Sequence, residues 1–218
     1  MIGGTLDRED SSSRPIALIY DGTDTCPGVL VSQTQVVTAA SCVGAMDPRS
    51  MRVFLGILDA TMVVKDESSV STEVFGVSSL LPHQGFDSRS LDNNIAVVEL
   101  DSSSRVAEAQ VPRQGSYDGI ASGVSLDAYS WVIDADGPAL NSRLNALRFT
   151  GVKSSAGSLP RGTRAVSSSR DETIGHFALI FDRSGVFQGF SFYDETRSDV
   201  VLFVAMAEYD FNGSDFYY

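Results

Sequence analysis

Short apolar runs recur along the chain, each separated from the next by turn residues. Ile16–Tyr20, Gly28–Val31, Val36–Ala40, Met51–Leu55, Val70–Val77, Ile95–Leu100, Val124–Ile133, Phe177–Phe181, Val186–Phe190 and Val200–Phe203 have the length and apolar content of strands. Between them lie Asp21-Gly22, Asp134-Ala135-Asp136-Gly137 and Asp182-Arg183-Ser184-Gly185, whose Asp and Gly residues favour tight turns. Many closely spaced strands with little helical periodicity predict a sandwich or a barrel. The best helical stretch is the last, from about Phe203 to Phe211, which would pack one apolar face. No internal repeat at a solenoid period is present.

The 218 residues suffice for one large all-β domain or two small barrels sharing an interface. A formal charge of −12 argues against a nucleic-acid ligand, because neutralising phosphates takes clustered Lys and Arg. It suits a basic protein partner steered by long-range attraction, and it equally suits a surface charged only for solubility. No stretch approaches the roughly 18–20 apolar residues that span a bilayer, so no membrane association is expected. Met1-Ile2-Gly3-Gly4 is not a basic-then-apolar leader, which predicts a cytosolic protein or a mature secreted domain. Ser11–Ser13, Ser102–Ser104 and Ser167–Ser169 read as solvated loops, with phosphorylation or O-glycosylation as the alternative. Asn212-Gly213-Ser214 is a sequon that makes Asn212 a glycosylation candidate, although such tripeptides also arise by chance. No metal site or cofactor is expected.

The run Cys26-Pro27-Gly28-Val29-Leu30-Val31-Ser32, continuing to Thr38-Ala39-Ala40-Ser41-Cys42, resembles a core segment of the chymotrypsin-like (trypsin-family) serine proteases. There a Cys-Gly-Gly-x-Leu-Ile strand leads to Thr-Ala-Ala-His-Cys, and the resemblance implies a disulfide between Cys26 and Cys42. Such a bridge closes a hairpin beneath the catalytic-His loop and is worth roughly 3 kcal/mol by chain entropy. Leu91-Asp92-Asn93-Asn94-Ile95-Ala96-Val97-Val98-Glu99-Leu100 resembles the family's Asp-Asn-Asp-Ile-Ala-Leu-Leu strand. Asp171-Glu172-Thr173-Ile174-Gly175-His176-Phe177 lies where the family carries Gly-Asp-Ser-Gly-Gly-Pro, with Phe181–Phe190 similar to its next hairpin. Ile2-Gly3-Gly4, Trp131, Ser191-Phe192-Tyr193 and Asp199–Phe211 extend the resemblance over nearly the whole chain. It implies an all-β fold of two six-stranded antiparallel barrels with a short C-terminal helix. The single trypsin-like domain, 1–218, would divide into a first barrel near 15–105, a second near 120–202, and a helix and tail over 203–218.

The resemblance also shows what is missing. Ser41 stands where the family has its general-base His, and a hydroxyl cannot take a proton from a nucleophile at neutral pH. Asn94 stands where the His-orienting Asp would be; that change alone costs on the order of 10⁴ in rate in serine proteases. Counting back from the hairpin puts Thr173 at the nucleophile position, and Asp171 in place of an oxyanion-hole glycine opposes a developing negative charge. Glu172 replaces the Asp that pairs with the free N-terminal amine in active members. His83, beside Pro82 in a loop that often reads His-Pro-x-Tyr, is taken as a surface loop residue. Thr173 and His176 are three apart and would face opposite ways on an extended strand, so they form no new dyad. The second-barrel disulfides common in the family cannot form, which leaves the pocket walls near Ser167–Arg170 and Tyr193–Arg197 free to rearrange.

A fold kept while its chemistry is erased implies a catalytically inactive protein whose loops bind something. A disulfide in the family position implies an oxidising, extracellular compartment. The leading expectation is a secreted inhibitor of another secreted enzyme, a glycoside hydrolase or a protease. In kind it is similar to the oomycete glucanase inhibitor proteins, homologues with degenerate triads that bind host endoglucanases. Inactive mite protease paralogues and protease-like cofactors of arthropod or vertebrate cascades fit the same residues. The alternatives are a regulatory pseudo-subunit of an active protease and a residual hydrolase. Arg170, Asp171, Phe192 and Tyr193 are the candidate cleft residues, because aromatic and Arg side chains dominate interface energetics. The opposing reading is that they pack a collapsed pocket.

Overall fold

The structure is a computed structural model that describes residues 14–57, 59–60, 63, 73–115, 124–131, 144–150, 161, 163–167, 177–193, 201–211 and 215–216, with only the backbone described at 145–150, 164–167, 193 and 201–202. Six strands form the first half: β1 (Ile16–Tyr20), β2 (Thr25–Ser32), β3 (Gln35–Thr38), β4 (Arg52–Leu55), β5 (Glu73–Pro82) and β6 (Ala96–Leu100). They pair in the order β1-β2-β3-β6-β5-β4, and β4 pairs back onto β1 through Ala17↔Leu55 and Ile19↔Val53 to close a barrel. Closure leaves no free edge, so every strand has two ladder partners.

β1, β4 and β6 are near-continuous apolar runs because both of their faces are buried. Ala17 and Ile19 of β1, Val53 and Leu55 of β4, and Val98 and Leu100 of β6 join a cluster made of first-barrel residues alone. The alternate positions Ile16, Leu18, Phe54 and Val97 join a second cluster with Tyr129, Leu179, Phe181, Phe187, Phe190 and Val204. The period-two alternation of a strand thus assigns one face to the barrel's own cluster and the other to the contact with the second half. Gly28 is required where β2 meets β3, since a Cβ there would lie 2.6 Å from Val36 Cγ1 and 3.1 Å from the Val37 carbonyl oxygen.

The second half holds β7 (Ser125–Trp131), β8 (Leu144–Thr150), β9 (Thr163–Ser167), β10 (Phe177–Asp182), β11 (Phe187–Tyr193) and β12 (Val201–Ala205). Their order is β8-β7-β10-β11-β12-β9, an antiparallel six-stranded sheet with β8 and β9 at its edges. One of the two expected barrels is thus closed, and the described residues of the second half form a six-stranded sheet. Closure needs a ladder between the two edge strands, and none joins β8 to β9 among the described residues. The linker stitches the halves together: the Ala109 N–H donates to the Leu30 carbonyl and the Phe187 N–H to the Gln110 carbonyl, both at 2.8 Å.

The expected C-terminal helix is corrected. Its first residues continue β12 to Ala205, paired with β11 as far as Gly189↔Ala205. Among the described residues that follow, only Met206–Glu208 coil, as a single 3₁₀ turn that ends on extended backbone at Tyr209. Burial of Phe203 and Val204 against the sheet outweighs the helical spacing, and β-branched Val201 and Val204 favour the pleated conformation. Asp215 Oδ2 then accepts from the Asp210 N–H at 2.9 Å.

Candidate functional site

After β3 the chain makes one short helical turn, α1 (Ala40–Val43), which presents Ser41 at the surface. Two ties fix that turn. Cys42 is disulfide-bonded to Cys26 of β2 with Cα atoms 5.9 Å apart, and Thr38 Oγ1 donates to the Pro27 carbonyl at 2.7 Å. The implied disulfide is present.

Asn94 lies just before β6 and is fully buried. Its amide forms a closed pair with Ser41: the Ser41 N–H donates to Asn94 Oδ1 at 2.8 Å, and Asn94 Nδ2 donates to Ser41 Oγ at 2.9 Å. The structure therefore brings together two positions 53 residues apart that the sequence resemblance had linked. A buried carboxamide needs a donor for its oxygen and an acceptor for its nitrogen, and Ser41 supplies both. Neither group takes up a proton near neutral pH, so this pair offers no general base.

The turn leading into Asn94 carries local backbone strain. Leu91 (φ 59) and Asn93 (φ 50) adopt the left-handed region, which costs an L-residue roughly 1–2 kcal/mol and which Asn tolerates better than Leu. Contacts from the second half hold the turn in place. The Arg161 N–H donates to Asp92 Oδ1 at 2.6 Å, the Asn93 N–H donates to the Arg161 carbonyl at 2.8 Å, and the Arg161 guanidinium lies 3.9 Å from Asp92 Oδ2. Arg161 was not visible as a site residue, because nothing in its local sequence points across to Asp92. The Asp92-Asn93-Asn94 run does signal a turn.

His83 lies in the loop after β5 and is half-buried there. Its ring sits edge-on to Tyr209 and Phe216, at centroid distances of 5.4 and 5.6 Å. Burial pushes its pKa below the usual imidazole value, against the opposing pull of the Asp215 carboxylate. Burial also raises the Tyr209 phenol, with further contributions from Glu208, Asp215 and Asp92.

The remaining sequence-predicted residues divide sharply. Phe192 is only 6 % exposed and belongs to the core cluster shared by the two halves, so its ring is packing and does not face solvent. Tyr193 ends β11, pairing with Val201. Arg170, Asp171, Thr173 and Asn212 lie outside the described residues. Trp131 is buried at the end of β7, opposite Leu144 of β8.

Known proteins fit this architecture. A 29 % identical stretch of 103 residues is shared with trypsin delta of Drosophila erecta, covering 47 % of this chain and 38 % of that protein. This chain thus aligns with well under half the length of the curated relatives it matches. Among solved structures, scabies mite inactivated protease paralogue S-D1 superposes with a TM-score of 0.73 at 15 % identity, over 95 % of this chain and 92 % of that one. Human heparin binding protein gives 0.71 at 18 % identity, over 94 % and 91 %. Vibrio cholerae VesB protease gives 0.71 at 17 % identity, over 94 % and 64 %. At these identities the superpositions establish the shared fold. The trypsin family model itself matches residues 2–156, most of the chain, and the protein belongs to the trypsin family.

Proposed function

We propose that this trypsin-family chain does not hydrolyse peptide bonds and acts as a secreted protein-binding module, an inhibitor of another secreted enzyme such as an endoglucanase. The observation that carries the reading is the Ser41–Asn94 pair. The two positions that in the active proteases hold and orient a proton acceptor hold instead a neutral amide and a hydroxyl bonded to each other. The third position, Thr173 with Asp171 beside it, carries no Ser-Gly-Gly in the sequence. An inactivated protease paralogue shares the fold, which makes such a loss compatible with a stable structure. The Cys26–Cys42 bridge and the family suit an oxidising extracellular compartment. A net charge of −12 favours a partner with a basic docking face.

The test is a panel of secreted glycoside hydrolases and trypsin-like proteases, each assayed with and without the purified protein, with binding followed by calorimetry. Tight binding with loss of glycosidase activity is the expected result. Binding to a protease with a raised rate, and none to glycosidases, replaces the inhibitor with a regulatory pseudo-subunit. Covalent labelling of Thr173 or a nearby Ser by an active-site probe overturns the loss of catalysis itself.

A further inference from the structure

Between β5 and β6 a single imidazole nitrogen stands at the head of a line of hydrogen bonds that ends at Ser41. His83 Nδ1 accepts from the Gly85 N–H at 2.9 Å, which requires that nitrogen to be unprotonated. The Phe86 N–H returns to the His83 carbonyl at 2.9 Å and closes the turn. The Gly85 carbonyl accepts from Asn93 Nδ2 at 3.0 Å, and Asn93 is one of the two left-handed residues. The next residue is Asn94, whose amide is bonded to Ser41.

We propose that His83 is a pH-sensitive latch: adding a proton at Nδ1 breaks its bond from Gly85, opens the 83–93 turn and reshapes the surface around Asn94 and Ser41. The proton turns an acceptor into a donor facing the Gly85 N–H, so two donors oppose each other and one must move. Tyr209 and Phe216 flank the ring and restrict its turning, which leaves the peptide of the turn as the part that gives. Asp215, on the C-terminal segment, is the charged group that acts on the ring, and its backbone carbonyl accepts the Gln84 N–H at 3.1 Å. Its carboxylate favours the added positive charge on the ring. The same segment also carries Glu208 and Asp210, the turn carries Asp87, Arg89 and Asp92, and Arg161 reaches it from the second half. Tyr209 stays protonated across the relevant range, since burial raises its pKa, and does not compete for the proton.

That this face meets a partner rests on the function proposed above; the latch itself does not, and it is tested on the free chain. Backbone amide and histidine Cε1–H signals are recorded from about pH 8 to about pH 5, where most carboxylates are still ionised. The chain has two histidines, and His83→Asn identifies the ring signal by its loss. The expected result is a His83 midpoint below 6.5, a Gly85 amide that moves with the same midpoint, and Asn93, Asn94 and Ser41 amides that follow it. In His83→Asn, where Oδ1 replaces the acceptor without titrating, those shifts become flat; His83→Gln serves the same purpose if the Asn variant does not fold. The proposal is overturned by a ring that titrates while Gly85 and Ser41 stay still. It is equally overturned by a ring that does not titrate in this range, or by shifts that persist in the variant.

Discussion

The Ser41–Asn94 pair makes a quantitative prediction that separates a built-in structural interaction from two residues that happen to lie close. Ser41→Ala removes Oγ and leaves the Nδ2 of a fully buried amide without its acceptor, at a cost of about 1–3 kcal/mol for an unsatisfied buried group. Asn94→Ala removes both bonds, at about 0.5–1.5 kcal/mol each, plus a small loss of packing. Once Asn94 is gone, Ser41→Ala deletes only an exposed hydroxyl, and such surface changes fall within about 0.5 kcal/mol. The double mutant should therefore be close to Asn94→Ala alone, giving a coupling energy about equal to the Ser41→Ala cost, about 1–3 kcal/mol. Urea unfolding of all four proteins measures it, provided that the slope m is unchanged across the set. Additivity within about 0.3–0.5 kcal/mol refutes the reasoning, because it means the two side chains do not depend on each other.

Replacing both Cys26 and Cys42 by Ala should cost about 3 kcal/mol in the same urea assay, from the entropy released to a loop of this length; a change near zero counts against that account. Gly189→Ala should prevent recovery of soluble folded protein. An added Cβ there would overlap the Val204 carbonyl and lie 2.8 Å from Phe203 Cζ, at a backbone φ of +148°; a normal melting curve for this variant contradicts the close approach of β12 to β11. Stability should also decline as the pH falls through 6.5. His83 has a native pKa below its unfolded value, so the unfolded chain binds the extra proton first, and the loss is complete once the pH passes below the native pKa. Urea midpoints at about pH 7.5 and about pH 5.5, above carboxylate titration, test the sign, and His83→Asn should flatten the difference.

Much of this fold was legible in the chain. The apolar runs at 16–20, 95–100, 177–181 and 186–190 became β1, β6, β10 and β11 because side chains buried on both faces leave a continuous apolar signature. The strands Leu144–Thr150 and Thr163–Ser167 were missed. Among the described residues each has one ladder partner, and each interrupts its apolar positions with Asn, Arg or Thr. The C-terminal stretch 203–211 reads as helix from its spacing, whereas pairing with β11 makes its first residues, Phe203–Ala205, strand. Phe192 carries an aromatic ring that sequence alone places equally well at an interface or in a core, and its register beside Phe177 puts it in the core.

For the site, sequence by itself determined which residue types stand at 26, 41, 42 and 94, and hence that the bridge could form and that no imidazole or carboxylate occupies positions 41 and 94. Chemical identity is written residue by residue and needs no folding to be read. What Ser41 and Asn94 do instead, and that Arg161 clasps Asp92 while His83 wedges between Tyr209 and Phe216, was decided only by the tertiary structure. Those contacts join segments tens of residues apart, and their geometry depends on how the barrel and the second sheet pack together. No local pattern encodes a distance of that kind.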